Sequence, residues 1–203
     1  MILGMEDGPE KTAALVAWVQ RKVTPEDEAP ILVGGAAVEL YTSGAYTTGD
    51  LDFVGTVTPE LEGALRDAGF ERHGRHWIHE AAQVFIEFPG AALGPGERAS
   101  WVQVAGCRVR VVAVEDLLVD RLGAWQYWRS AVDGANAWLI WRTHRGQLDL
   151  SRLQVRVREA GWDAAFEDLM EFDRRWTRNG PTEEELESWA TAGPRSRRTG
   201  EGE

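Results

Sequence analysis

The spacing of the hydrophobic residues changes near residue 114, and this change limits the folds open to the chain. Before it, short apolar runs such as Ile31–Val33 alternate with segments of helical periodicity. After it, Leu118, Leu122 and Trp125 recur at helical spacing. We therefore predict an α+β fold with a mixed sheet, in which an α/β core of residues 1–114 precedes a helical region of residues 115–192 that packs on it.

Composition and charge narrow the classes of function. The 203 residues have a net charge of −11, which disfavours binding to a nucleic-acid backbone. The only dense basic run, around Arg195 and Arg198, falls in residues 193–203, whose Gly, Ser and Pro content predicts a disordered tail. A single cysteine, Cys107, and no apolar stretch of about 20 residues predict a cytoplasmic protein without a membrane span.

Two further expectations concern the strands and the core. Residues 71–79 are expected to form one strand and residues 83–88 the next, so that His73, His76 and His79 could not converge on a zinc ion. The tryptophans of the second half suit helix packing and are interpreted as core. The residues expected to be buried there are Leu118, Leu122, Trp125, Phe166, Leu169 and Trp176.

Two glycines follow the short strand Ile31–Val33 directly. Gly34 and Gly35 precede a run of good helix formers, which predicts a strand–glycine–helix unit. Such a turn lets the backbone approach a phosphate group, and the helix N-terminus then offers free N–H groups and a positive dipole end. The alternative is an ordinary tight turn.

Fourteen residues separate Gly35 from a pair of acids. Asp50 and Asp52 are two apart in a predicted strand, so their carboxylates point to one face while Leu51 and Phe53 point to the core. Two carboxylates on one open face repel each other unless a divalent cation compensates them. Mg²⁺ or Mn²⁺ suits this arrangement, because Mg²⁺ binds a few carboxylates and completes its shell with water and phosphate oxygens. The alternative is a solvated strand edge.

Glu87 is the candidate third acid. It lies in the predicted strand of residues 83–88. Val84, Ile86 and Phe88 form one apolar face of this strand, and Glu87 lies on the other face. A carboxylate in such a run is costly to bury without a partner, and a metal shared with Asp50 and Asp52 would be one. Glu87 could then bind metal or accept the proton of an attacking hydroxyl. It could equally be an ordinary exposed strand residue.

The run Gly34-Gly35, Asp50-x-Asp52 and Glu87 resembles the motif of the DNA polymerase β-like nucleotidyltransferase superfamily. The likeness is greatest to its minimal bacterial members, including those of abortive-infection toxin–antitoxin pairs, and covers residues 31 to about 140. The segment that resembles the helix after the catalytic sheet contains Val114, Glu115, Asp116, Leu117, Asp120, Arg121, Leu122, Ala124, Trp125 and Asp133.

The resemblance implies two-metal transfer of a nucleotidyl group from an NTP to a hydroxyl acceptor in a protein, a small molecule or an RNA end, with a cognate partner protein in a toxin–antitoxin pair. It gives Asp50, Asp52 and Glu87 as metal-binding and catalytic acids. It places Gly34 and Gly35 at the phosphate turn and Arg121 on phosphate. Arg121 could instead pair with Glu115, Asp116 or Asp120 of its own helix.

Two other functions stay open. Many relatives have a basic residue shortly before the paired acids, whereas this chain has Tyr46-Thr47-Thr48-Gly49. That difference favours a nucleotide-binding regulator or interaction partner that retains the fold without turnover. The third hypothesis is a purely structural interaction module, which the three acids oppose.

Overall fold

The structure, a computed structural model, describes residues 2–176 and 179–195. It divides into two compact units, Met1–Ala113 and Val114–Glu203, which we call the sheet unit and the helical unit. Residues 196–203 of the predicted tail lie outside the described residues. Within residues 193–195, Arg195 forms ion pairs with Asp168 and Glu171.

The sheet unit contains a seven-stranded mixed sheet in the order β3-β4-β5-β2-β1-β7-β6. The pairs β1–β7 and β2–β5 are parallel, and the other neighbours are antiparallel. The predicted α+β class with a mixed sheet is therefore confirmed. The strands are β1 (Ile31–Val33), β2 (Asp50–Val54), β3 (Glu71–His73), β4 (His76–His79), β5 (Val84–Gly90), β6 (Ala99–Val104) and β7 (Cys107–Val112), and the helices of this unit are α1 (Pro9–Gln20), α2 (Gly34–Tyr41) and α3 (Pro59–Asp67).

One face of the sheet forms the core of this unit. Its buried side chains belong to adjacent strands in register, since Leu32 lies opposite Phe53, and Ile86 lies opposite both Leu51 and Trp77. The other face holds the residues that alternate with them along each strand. Helix α3 begins as its sequence indicates, because Thr58 caps the N–H of Leu61 and Pro59 occupies the first turn.

The single strand expected over residues 71–79 is wrong. Gly74 has a φ of +65°, and the chain reverses there, so that β3 and β4 form a hairpin with His73 opposite His76. Glycine adopts this conformation without steric cost, which allows a two-residue turn. The argument that the three histidines are kept apart along one strand therefore fails, yet the described residues contain no group of three His, Cys, Asp or Glu side chains placed to hold a metal.

The helical unit contains five α-helices in its described part: α4 (Val114–Trp128), α5 (Ala131–His144), α6 (Leu150–Ala160), α7 (Asp163–Arg174) and α8 (Glu183–Ala192). Leu118, Leu122, Trp125 and Leu169 are buried as expected, whereas Phe166 and Trp176 are half-buried. Helix α8 opens with the predicted capping box of Thr182 and Glu185.

The interpretation of the tryptophans as core residues is wrong for Trp128. Its side chain is 74% exposed, and it lies at the last residue of α4 beside Tyr127, which is 68% exposed. Helical spacing alone places Trp128 near the buried face, but the helix ends there and no later turn covers it.

Among the described helices, none is long and apolar enough to span a membrane.

Candidate functional site

The glycine turn joins β1 to α2 without any intervening loop. Gly34 has a φ of +68°, and a Cβ added to it would overlap the carboxylate of Asp52. A Cβ added to Gly35 would lie 3.3 Å from both Thr48 Cγ2 and Tyr46 Cε1. Gly34 is thus required both by the backbone conformation and by the close approach of the turn to β2.

Asp50 and Asp52 project from β2 on the face opposite the core. Leu51 and Phe53 between and after them are buried, whereas Asp50 is exposed and Asp52 is half-buried. Two residues of a strand span about 7 Å, so the two carboxylates line one face at neighbouring positions. The backbone N–H of Asp50 donates a hydrogen bond to Thr48 Oγ1 over 3.3 Å, which ties the start of β2 to the preceding loop.

Glu87 lies on the strand next to this pair. Strand β5 runs parallel to β2, with Glu87 opposite Asp52 and Phe85 opposite Asp50. Residues opposite each other on neighbouring strands share a face of the sheet, and adjacent strands are about 4.8 Å apart. The structure therefore brings Asp50, Asp52 and Glu87 to one face, beside the Gly34 turn.

The carboxylate of Glu87 has two cationic or ionisable neighbours. Arg75 Nε lies 2.6 Å from Glu87 Oε1, and His76 Nδ1 lies 3.5 Å from Glu87 Oε2. The Glu87 side chain is 24% exposed and that of Arg75 is 62% exposed. Sequence reasoning missed Arg75 and His76, although an interpretation of Gly74 as a hairpin turn would have placed them beside β5.

A buried carboxylate on α2 holds the loop that leads to Asp50. Glu39 accepts hydrogen bonds from Thr12 Oγ1 over 3.1 Å and from the backbone N–H of Thr48 over 3.3 Å. Burial raises the pKa of Glu39, and the hydrogen bonds from Thr48 and Thr12 oppose that rise. Glu39 is a third residue that sequence reasoning missed. Its signal is an acid between two apolar residues of a short helix, Val38 and Leu40.

Arg121, the phosphate-contacting residue implied by the resemblance, lies in the helical unit. Its guanidinium pairs with Asp120 of the same helix and, over 2.6 Å, with Asp133 Oδ1 of α5. Its side chain is 17% exposed. Within the helical unit, Arg121 therefore joins α4 to α5, and one of the three helix partners considered for it, Asp120, is present.

The three acids suit a hard divalent cation by their chemistry, because carboxylate oxygens are its preferred protein ligands. As the side chains stand, no group of three acids, histidines or cysteines in the described ranges is gathered closely enough to enclose an ion. The face therefore offers Asp50 and Asp52 as an open, partial ligand set. Water and phosphate oxygens would have to complete the shell, as Mg²⁺ commonly requires.

No protein-family model and no curated protein matches this chain. Its fold is similar to a solved structure of the antibiotic-resistance factor ANT(2'')-Ia, an aminoglycoside nucleotidyltransferase. The TM-score is 0.51 and the identity is 16%, and the likeness covers 81% of this chain and 97% of that chain. At this identity the likeness shows a common fold and no more.

Proposed function

We propose that this protein transfers a nucleotidyl group from an NTP to a hydroxyl acceptor in a metal-dependent reaction. The observation that supports this most directly is the position of Asp50, Asp52 and Glu87 on one face of adjacent strands. The Gly34 turn beside them supports a phosphate site. The nucleotidyltransferase neighbour supports the same class of chemistry through the fold.

In the proposed reaction each part of the site has a separate task. Gly34 and Gly35 let the backbone and the start of α2 contact the phosphates, and Asp50 and Asp52 would hold divalent metal, which stabilises the charge on the triphosphate. Glu87 accepts the proton of the acceptor hydroxyl. The hydroxyl oxygen then bonds to the α-phosphorus, the bond from that phosphorus to the bridging oxygen breaks, and pyrophosphate leaves.

The acceptor is a protein, a small molecule or an RNA end. The net charge of −11 opposes binding of a long nucleic acid. The description of ANT(2'')-Ia as an antibiotic-resistance factor adds weight to small hydroxyl-bearing molecules. A cytoplasmic location and a partner protein in a toxin–antitoxin pair follow only from the sequence and its resemblance, and are proposed on that basis.

The binding half of this proposal is tested by calorimetry with each NTP, in Mg²⁺ and in chelator. We expect binding that depends on metal, and we expect Asp52→Asn to weaken it, because the variant removes one anionic ligand while keeping the shape of the side chain. Asp67→Asn is the matched control, since Asp67 is an exposed aspartate at the end of α3. Equal affinity with chelator and with Mg²⁺ would contradict the proposal.

The transfer half is tested with NTP labelled at the α-phosphate. Label should pass to the protein itself or to a member of a panel of proteins, small hydroxyl compounds and RNA ends, and the wild type should exceed Asp52→Asn. Metal-dependent NTP binding without label transfer to any of these would favour the second function, a nucleotide-binding regulator. The ion pair between Glu87 and Arg75 is the observation that keeps this alternative in view.

A further inference from the structure

We infer that Arg75 is the phosphate-binding arginine of this site and that it exchanges Glu87 for the triphosphate when the nucleotide arrives. The inference rests on the proposed function, because it names the residue that recognises the phosphates of the same nucleotide. It assigns the β3–β4 hairpin a direct role in binding an anionic ligand.

The hairpin holds Arg75 at the level of the acids. Arg75 occupies the turn between β3 and β4, and its backbone carbonyl accepts a hydrogen bond from the N–H of Phe88 over 3.2 Å. Its side chain reaches back to Glu87, which lies opposite Asp52. The backbone of Arg75 is therefore fixed to β5, while its guanidinium lies on the face that contains the acids.

The present ion pair is suited to exchange. The Arg75 side chain is 62% exposed, and exposed ion pairs contribute little to stability because water and salt screen them. Asp52 and Glu87 lie opposite each other on neighbouring strands, and Arg75 neutralises the charge of Glu87 before any ligand binds. A triphosphate brings more negative charge than one carboxylate, and the guanidinium fork matches phosphate geometry.

Arg75 is a basic residue of the sheet unit that lies outside the motif. The stretch before the paired acids, Tyr46-Thr47-Thr48-Gly49, contains no basic residue. Arg121 is held by Asp120 and Asp133 and is 17% exposed. Arg75 provides a positive charge from a different point of the chain. It does so on the face of the sheet that contains Asp50, Asp52 and Glu87, which we call the acid face.

The test compares Arg75→Gln with Arg72→Gln in the full-length protein. Arg72 lies in the same hairpin, is also exposed, and pairs with Glu62 instead of a site acid. Calorimetry in Mg²⁺ would measure the affinity for ATP, ADP, AMP and adenosine, or for the corresponding series of the base that binds most tightly. We expect Arg75→Gln to lower triphosphate affinity about 10- to 100-fold, the size of a lost charge-assisted hydrogen bond. Arg75→Lys should be intermediate.

The pattern across ligands decides the outcome. Support requires a loss that shrinks from triphosphate to monophosphate and is absent for adenosine, with Arg72→Gln close to wild type. Equal triphosphate affinity of wild type and Arg75→Gln would overturn the inference while leaving the proposed function in place. A loss of the same size for adenosine would overturn it too, by indicating a structural role. Absence of nucleotide binding by the wild type would overturn both.

Discussion

The charged residues of the two units differ in how far water reaches them. On the acid face of the sheet unit, Asp50 is exposed, and the ion pair of Glu87 with Arg75 leaves the arginine 62% exposed. In the helical unit the side chain of Asp116 is fully buried between Arg152 and Arg156. The first set can exchange partners with a ligand, whereas the second cannot without opening the structure.

The difference separates charges that serve chemistry from charges that hold helices. A buried ion pair requires removal of both groups from water and is stabilising only while its partners remain in place. Asp173 shows the same arrangement as Asp116, since its carboxylate is 6% exposed and accepts from Trp141, Arg142 and Arg145. Substitutions should therefore change stability in the helical unit and ligand binding or turnover on the acid face.

The largest expected effect is on the stability of the helical unit. Asp116→Asn keeps the shape of the side chain but removes the buried counter-charge that Arg152 and Arg156 share, so that Arg152 keeps Glu115 at 3.8 Å and Arg156 keeps the exposed Glu159. We expect the free energy of unfolding to fall by about 3 kcal/mol. Urea unfolding followed by tryptophan fluorescence would measure it, because seven of the ten tryptophans lie after residue 113.

The control for that experiment is Asp120→Asn on the same helix. Asp120 is 55% exposed, and Arg121 retains Asp133 when Asp120 is changed. Its effect should stay below about 1 kcal/mol. Equal losses in the two variants would show that burial does not distinguish the ion pairs of this helix, and the comparison between the units would lose its basis.

The sequence predicted the features that depend on local spacing. Three features each depend on fewer than ten consecutive residues. They are the strand Ile31–Val33, the turn at Gly34 and the alternation of side chains at Asp50 and Asp52. The roles of Arg75 and Arg121 depend on register between distant elements. A glycine within an alternating run gives only a weak sign of a hairpin, and Arg121 meets Asp133 only because α4 and α5 pack together.

A smaller effect is expected at the acid face, on turnover rather than stability. Glu87→Gln keeps the length of the side chain but removes its charge and its ability to accept a proton. Turnover should fall about 100-fold or more, with NTP binding largely retained. Rapid-mixing measurements of label transfer at saturating NTP would test this, and urea unfolding should show little change because the pair with Arg75 is solvent-exposed.

Glu71→Gln provides the matched comparison, because Glu71 is an exposed glutamate on β3 in the neighbouring hairpin. It should turn over at the wild-type rate. If Glu87→Gln were as active as Glu71→Gln, Glu87 would not be the proton acceptor. If it instead lost several kcal/mol of stability, the distinction between exchangeable and structural charges would fail on the sheet unit.

The smallest expected effect concerns Glu39, a buried acid in the sheet unit. Burial raises the pKa of Glu39, so the folded protein binds this proton more tightly than the unfolded chain does. Its contribution to stability is therefore full below the unfolded pKa and is lost as the pH rises through the folded pKa. Glu39→Gln cannot titrate, so its free energy of unfolding should fall less than that of the wild type between pH 4 and pH 7, by roughly 1 kcal/mol or less. Urea unfolding across that range would measure the difference, with Glu60→Gln as the control that removes an exposed carboxylate. A steeper fall in Glu39→Gln than in the wild type would reverse the sign. Glu39 would then belong with the charges that are stabilised by their partners, as Asp116 is in the helical unit.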